Sequence, residues 1–284
     1  MNDKEFLTPV LVFAAGRSGT TLMMNTLSCS DEIYFHKKYP FESPDLLYLI
    51  RLAQVVTTVE GFATTRPTLF TNEFNSIGRL RFRDTENAFF NKGEESLAIV
   101  FKSLWAGYSA EAKKRGDYRL YAEKVPPSAY RLIFNTIESK SIFLFRDPRA
   151  EMLSIMRFNK KRNNTKFGWR ENDTAEDFAL RFCVKRRKQM VDLANLQEDE
   201  NHMKLFYEDF VANFENKLQA LEDFLQTKIN REALQANLSA FGDHMTSTDA
   251  ISSINDWERE LPETVKDIFA AKLGKELTAL GYRV

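Results

Sequence analysis

The chain has 284 residues, 43% of them hydrophobic, enough to bury a full core as one large domain or two small ones. Lysine plus arginine and aspartate plus glutamate both number 40, so the net charge gives no sign of a polyanionic partner such as nucleic acid. Cys29 and Cys183 are too few for a disulfide framework or a cysteine-based zinc site, and His36, His202 and His244 lack metal-ligand spacing.

The first residues, MNDKEFLTPVLVF, lack the basic start and long apolar core of a signal peptide. No run of about 18 apolar residues suggests a membrane span. The N-x-[ST] triplets at Asn163, Asn172 and Asn237 are silent without secretion, so a soluble cytoplasmic protein is expected. Residues 10–15 (VLVFAA) predict a buried strand, followed by a helix from about 20 to 29. Residues 44–58 have helical apolar spacing with a proline near the start, and 97–115 predict another helix, closed by Gly116. Residues 118–124 alternate like a strand that Pro126-Pro127 stops.

Residues 141–145 (SIFLF) read as a second buried strand. Asp147 is a good N-cap and Pro148 suits the first helical position, so a helix follows to about Phe158. Residues 160–172 look like an exposed loop. Helices over 175–196 and 210–225 flank a strand at 203–207, and 262–280 predict a closing helix. The clusters Lys160-Lys161-Arg162 and Lys185-Arg186-Arg187-Lys188 read as solvated faces rather than a nucleic-acid patch. The alternation of strands and helices predicts a single α/β domain over 1–284, a parallel β-sheet flanked by helices.

The stretch VFAAGRSGTTLMM has the layout of a phosphate-cradling loop: an apolar run, a tight glycine turn, then a helix start. In a Walker loop, G-x-x-x-x-G-K-[ST], the lysine meets the β- and γ-phosphates and the hydroxyl meets magnesium. With Gly19 as the second glycine, Ala14 replaces the first, Thr20 replaces the lysine, and a cation stands inside the loop at Arg17. Backbone N–H groups of Ser18, Gly19, Thr20 and Thr21 are expected to face an anion at the helix N-terminus. Taken alone, the loop is equally a strand-to-helix turn in which Ser and Thr cap the helix. FLFRDPRAEMLSIMRF adds weight by placing Arg146 at a strand's end and Ser154 two turns into the next helix, where both can hold a further phosphate. Helix capping explains Asp147 and Pro148, but not an arginine at the mouth of a buried strand.

The two motifs together resemble sulfotransferases that use 3′-phosphoadenosine 5′-phosphosulfate (PAPS). GRSGTT is similar to that family's 5′-phosphosulfate loop in the arginine form of bacterial and tyrosylprotein-type members, and RDPRAEMLS to its 3′-phosphate motif. AEKVPP resembles the stretch with the family's catalytic lysine, here Lys124. FYEDFVANFENKLQALEDFL is similar to the adenine-proximal strand and helix, which implies Tyr207 as a nucleobase contact. HMTSTDAISSINDWERELP resembles the C-terminal segment that closes over the nucleotide, with Ser247 and Ser253 as implied contacts. The chain departs from the cytosolic branch: Val125 and Pro126 follow Lys124 where that branch has its histidine base. Glu260 and Phe269 flank Thr264-Val265 where its dimer segment has Lys and Glu, so neither base nor dimer mode carries over.

The resemblance implies a P-loop-like sulfotransferase fold and an enzyme converting PAPS to adenosine 3′,5′-bisphosphate (PAP), without a metal, as it sulfates a hydroxyl or amine of a small-molecule acceptor. Arg17 and Lys124 are the cations expected to stabilise charge in the transition state. Related bacterial and tyrosylprotein members carry a glutamate base some way after the loop, which points to Glu42 in HKKYPFESPDLL, with His36 as the rival. Glu32 is a further choice, but CSDEIYF reads as a helix end. A kinase with a degenerate P-loop is the alternative reading, since SIFLFRD mimics a Walker-B strand, and a non-catalytic nucleotide-binding domain is a third. Residues 60–91 and 160–172 are expected to shape the acceptor pocket, and carry no code for the acceptor itself. No nucleic acid or membrane partner is expected.

Overall fold

Strand β1 (Thr8–Phe13) is the centre of a five-stranded sheet because its apolar run is buried on both faces, with Val10, Leu11 and Val12 fully shielded. The computed structural model describes residues 6–57, 94–240 and 254–284. β3 (Leu120–Val125) and β4 (Lys140–Phe145) flank β1, β2 (Ile33–Tyr34) and β5 (His202–Phe206) are the edges, and the order is β2-β3-β1-β4-β5. Every pairing is parallel. The register sets Val12 beside Lys124 and Phe13 beside Val125, so the loops after β1 and β3 open at the same carboxyl edge. Ligands of open parallel sheets bind at that edge, where the strand order changes direction.

The helices are α1 (Thr20–Ser28), α2 (Asp45–Thr57), α3 (Glu94–Lys113), α4 (Tyr130–Phe134), α5 (Pro148–Arg162), α6 (Ala175–Asn195), α7 (Tyr207–Ala212), α8 (Phe214–Leu225), α9 (Arg231–Ala240), α10 (Asp256–Glu260) and α11 (Glu263–Ala279). The sheet packs with α1, α2 and α3 around Met23, Leu27, Leu46, Phe101 and Trp105. A second apolar cluster joins α5, α6 and α11 through Met152, Phe178, Phe182, Phe269 and Leu273. Among the described residues no helix is long and apolar enough to cross a membrane.

Several sequence expectations shift here. CSDEIYF is not a helix end: α1 stops at Ser28, and Ile33–Tyr34 pairs with β3 as the edge strand β2. The helix after Asp147 runs to Arg162 rather than Phe158, so the first basic cluster is its last turn, closed by Asn163 in the left-handed region at φ 47°. The helix expected over 210–225 is two helices, broken at Asn213. Tyr207 opens α7 instead of closing β5. The second basic cluster is not wholly solvated, because Arg186 is buried and pairs with buried Glu151 across the α5–α6 contact. Ser247 and Ser253, and the whole expected pocket segment over 60–91, lie outside the described residues.

Candidate active site

The loop between β1 and α1 takes its shape from two residues in the left-handed region, Arg17 and Gly19. Gly19 is the N-cap of α1 at φ 88°, a left-handed conformation that glycine adopts without a Cβ penalty. A Cβ there would overlap the Tyr207 ring, so glycine is also needed for the close approach of α7. Arg17 itself has φ 72°. No side chain caps α1, which removes the reading of Ser18 and Thr20 as mere capping residues and leaves the helix N-terminus turned to the loop. Ser18 and Thr20 are buried, and Thr21 is exposed.

The residues of the second motif converge on this loop. The Arg17 Nε donates to Ser154 Oγ on α5 at 3.2 Å, across 137 positions of sequence. Arg146, buried at the mouth of β4, donates from Nη1 to the Arg17 carbonyl at 3.3 Å, and its guanidinium lies 4.5 Å from the centre of the Tyr207 ring. Asp147 caps α5, accepting from the Arg149 N–H at 2.8 Å, as its sequence position predicts. Burial, and then the charge of Arg146, lower the Arg17 pKa, against the opposing effect of Tyr39 and Tyr207. Two guanidiniums held together in this way favour an anion beside them.

At the next strand, Lys124 extends from the carboxyl end of β3 and its Nζ meets Glu42 Oε1 at 2.8 Å. Glu42 stands in the segment leading into α2. That helix is fastened by Glu123, whose buried carboxylate accepts from the Leu46 N–H at 2.7 Å, the Leu47 N–H at 3.2 Å and the Tyr121 hydroxyl at 2.7 Å. His36 is exposed. Glu32 is engaged elsewhere, pairing with Arg119 at 2.9 Å just ahead of the amino end of β3.

Motif reading missed Glu123, Phe158 and Phe167. Phe158 stacks under Arg17, 5.0 Å from guanidinium to ring centre. Phe167, at φ 60°, packs edge-on against Phe158 and covers Gly16, where an added Cβ would lie 2.5 Å from its ring. The turn that carries it is pinned by the Asn159 side chain, which donates to the Lys166 carbonyl at 3.1 Å and accepts from the Lys166 N–H at 3.0 Å. Nothing in the local pattern of 160–172 marks Phe167, whereas a carboxylate inside the otherwise apolar alternation of β3 is a usable signal for Glu123. Among the described residues no cluster of three or more His, Cys, Asp or Glu is arranged to hold a metal ion.

A sequence model described as the sulfotransferase family matches residues 9–231. No curated protein sequence matches the chain. The sulfotransferase domain from the curacin biosynthetic pathway is 16% identical, with a TM-score of 0.53 and 98% of each chain covered, and shares the fold. The sulfotransferase domain from the Synechococcus PCC 7002 olefin synthase is 17% identical, with a TM-score of 0.48 and 94% of each chain covered. A mouse sulfotransferase, SULT7A1, complexed with PAP is 12% identical, with a TM-score of 0.47 over 99% of this chain and 90% of that one. The matched span takes in the loop around Arg17, Lys124, Arg146, Ser154 and Tyr207, and the chain belongs to the sulfotransferase family.

Proposed function

We propose that the protein transfers the sulfuryl group of PAPS to a hydroxyl or amine of a small-molecule acceptor and releases PAP, without a metal. The observation that carries this reading is the convergence of Arg17, Arg146 and Ser154 on the N-terminus of α1, on the sheet edge where Lys124 and Glu42 also meet. The donor set suits a ligand with two separate anionic groups. The α1 amides and Arg17 would hold the phosphosulfate, and Arg146 with Ser154 the 3′-phosphate. The Tyr207 ring lies against both Gly19 and Arg146, and the adenine contact assigned to it by resemblance belongs to the same proposal.

When bound, PAPS supplies an SO₃ unit on a good leaving group. The S–O bond to the acceptor forms as the S–O bond to the phosphate breaks, and the departing electron pair stays on the phosphate oxygen of PAP. Lys124 and Arg17 stabilise the charge that builds there. Glu42 takes the proton of an attacking hydroxyl as its oxygen closes on sulfur. Serving both tasks requires Lys124 to exchange its contact with Glu42 for one with the nucleotide.

The kinase alternative asks Asp147 to hold a metal. That carboxylate is buried and occupied by Arg149, through Nε at 3.0 and 3.2 Å and Nη2 at 2.8 Å, while capping α5. The deciding experiment gives the protein ³⁵S-labelled PAPS and a panel of alcohols, phenols and amines, with γ-labelled ATP and magnesium in parallel. Label in an acceptor from PAPS supports the proposal, and label from ATP alone overturns it.

A further inference from the structure

We infer that Glu123 is a positioning residue for sulfuryl transfer, acting as a remote N-cap of α2 that sets where Glu42 stands against Lys124. This rests on the roles proposed above for Lys124 and Glu42. Glu123 and Lys124 are successive residues of β3 and serve the two ends of one arrangement. The Lys124 ammonium meets Glu42 directly, while the Glu123 carboxylate grips the Leu46 and Leu47 amides a few residues further on. The Tyr121 hydroxyl, which donates to Glu123, also lies 3.4 Å from the Ser43 carbonyl, next to Glu42. Asp45 opens α2 and accepts from the Tyr108 hydroxyl of α3 at 2.6 Å, so the start of the helix is tied on two sides. Glu123 touches no reacting atom in this scheme. Its effect passes through the backbone of residues 42–47.

The grip depends on charge. A carboxylate accepts three hydrogen bonds readily, and a carboxylic acid loses accepting power at the protonated oxygen. Burial raises the Glu123 pKa to about 7, with Asp45 adding to the rise and the bonds from Tyr121, Leu46 and Leu47 opposing it. The ionisable groups around it are Tyr121 on its own strand, Asp45 from α2, Tyr108 from α3 and, beyond Tyr108, Tyr34 from β2. The tyrosines Tyr121 and Tyr108 are held neutral by burial, and β1 and α1 offer no ionisable side chain. Among these groups Glu123 is the one whose pKa stands near neutrality.

The test reads the Lys124–Glu42 pair directly, with no need for an acceptor. Full-length protein is pulse-labelled with acetic anhydride between pH 6 and 8, and acetylation of Lys124 is measured by mass spectrometry relative to exposed Lys160. Glu42→Gln calibrates the unpaired limit. In the wild type the ratio should be low at pH 8 and rise at least ~3-fold by pH 6, as Glu123 takes up its proton. In Glu123→Gln it should be high and flat across the range. A Glu123→Gln ratio that follows the wild type overturns the inference. If that variant does not fold, amide exchange at Leu46 and Leu47 in the wild type decides. Loss of protection in step with Lys124 labelling supports the inference, and constant protection overturns it. PAP-induced thermal shifts on the same samples separate the two levels: a wild type that ignores PAP sinks the sulfotransferase reading, whatever the labelling says about Glu123. Where an acceptor is found, Glu123→Gln should lower kcat about 10-fold while KM for PAPS stays within about 2-fold.

Discussion

Lys124 and Glu42 are 82 positions apart in sequence, and their charged groups meet at 2.8 Å. The Glu42 side chain is 57% exposed and that of Lys124 24%, so this ion pair adds little to stability, on the scale of about 0–1 kcal/mol for surface pairs. A contact that weak is readily exchanged for contacts with a substrate. It places a cation and a carboxylate side by side at the mouth of β3.

That placement yields the first prediction. Glu42→Gln keeps the shape and removes the proton-accepting charge, so kcat for an alcohol acceptor should fall by at least ~10². Binding of PAP, followed by thermal shift, should stay nearly unchanged. His36→Ala should cost far less, and the reverse order would move the base to His36. No effect from either variant would point to an acceptor that loses its proton without help.

The role proposed for Arg146 gives a second prediction. Adenosine 3′,5′-bisphosphate should raise Tm well above the shift given by adenosine 5′-phosphate, because only the former carries the 3′-phosphate that Arg146 and Ser154 are proposed to hold. Arg146→Ala removes charge-assisted bonds of roughly 1.5–3 kcal/mol each, and should erase most of that preference. Equal shifts from both nucleotides in the wild type would count against the 3′-phosphate site.

Gly19 carries two burdens, a left-handed backbone and contact with Tyr207. Gly19→Ala should destabilise the fold by more than the ~1–2 kcal/mol of the backbone conformation alone. Placing it on a Tyr207→Ala background should recover the steric part and leave the backbone part. Urea denaturation of the two single variants and the double variant measures this coupling.

Glu123 gives stability a pH dependence of definite sign. Its pKa in the folded protein is about 7, raised from 4.5 by burial, so the folded state binds this proton more tightly than the unfolded chain. The associated stability is present below about pH 4.5 and is lost as pH rises through 7. Between pH 5 and pH 8 the wild type should lose on the order of 2–3 kcal/mol relative to Glu123→Gln, in which other ionisable groups cancel. Parallel curves for the two proteins would contradict the assignment. Stability and the Lys124–Glu42 arrangement should thus respond to pH in opposite directions.

A metal-free mechanism makes the last prediction. With Arg17 inside the loop in place of the Walker lysine, transfer from PAPS in excess EDTA should match transfer in magnesium. Full dependence on magnesium, with ATP as the donor, would favour the kinase.

What could be read along the chain was whatever a local pattern encodes. The apolar runs of β1 and β4 mark buried parallel strands because both their faces are covered. Asp147 and Pro148 announce α5 through capping chemistry, and GRSGTT announces a strand-to-helix turn with a cation inside it. These are short-range rules, and they also single out Arg17, Arg146 and Ser154 as candidates, whereas Lys124 is a candidate only through the resemblance of AEKVPP. The tertiary structure decided the matters that depend on distant partners. Tyr34 belongs to a strand because β3 offers the adjacent hydrogen-bonding edge, and no local periodicity encodes that neighbour. Arg186 is buried because Glu151 on another helix neutralises it. Glu123 grips α2, and Phe167 covers Gly16, because strand register and a pinned turn bring together residues far apart in sequence. The sequence by itself determined most of the long elements and the residue types gathered at the candidate site. Only the tertiary structure decided that Glu42 meets Lys124 while Glu32 pairs with Arg119, because strand register and the packing of α2 on β3 place both.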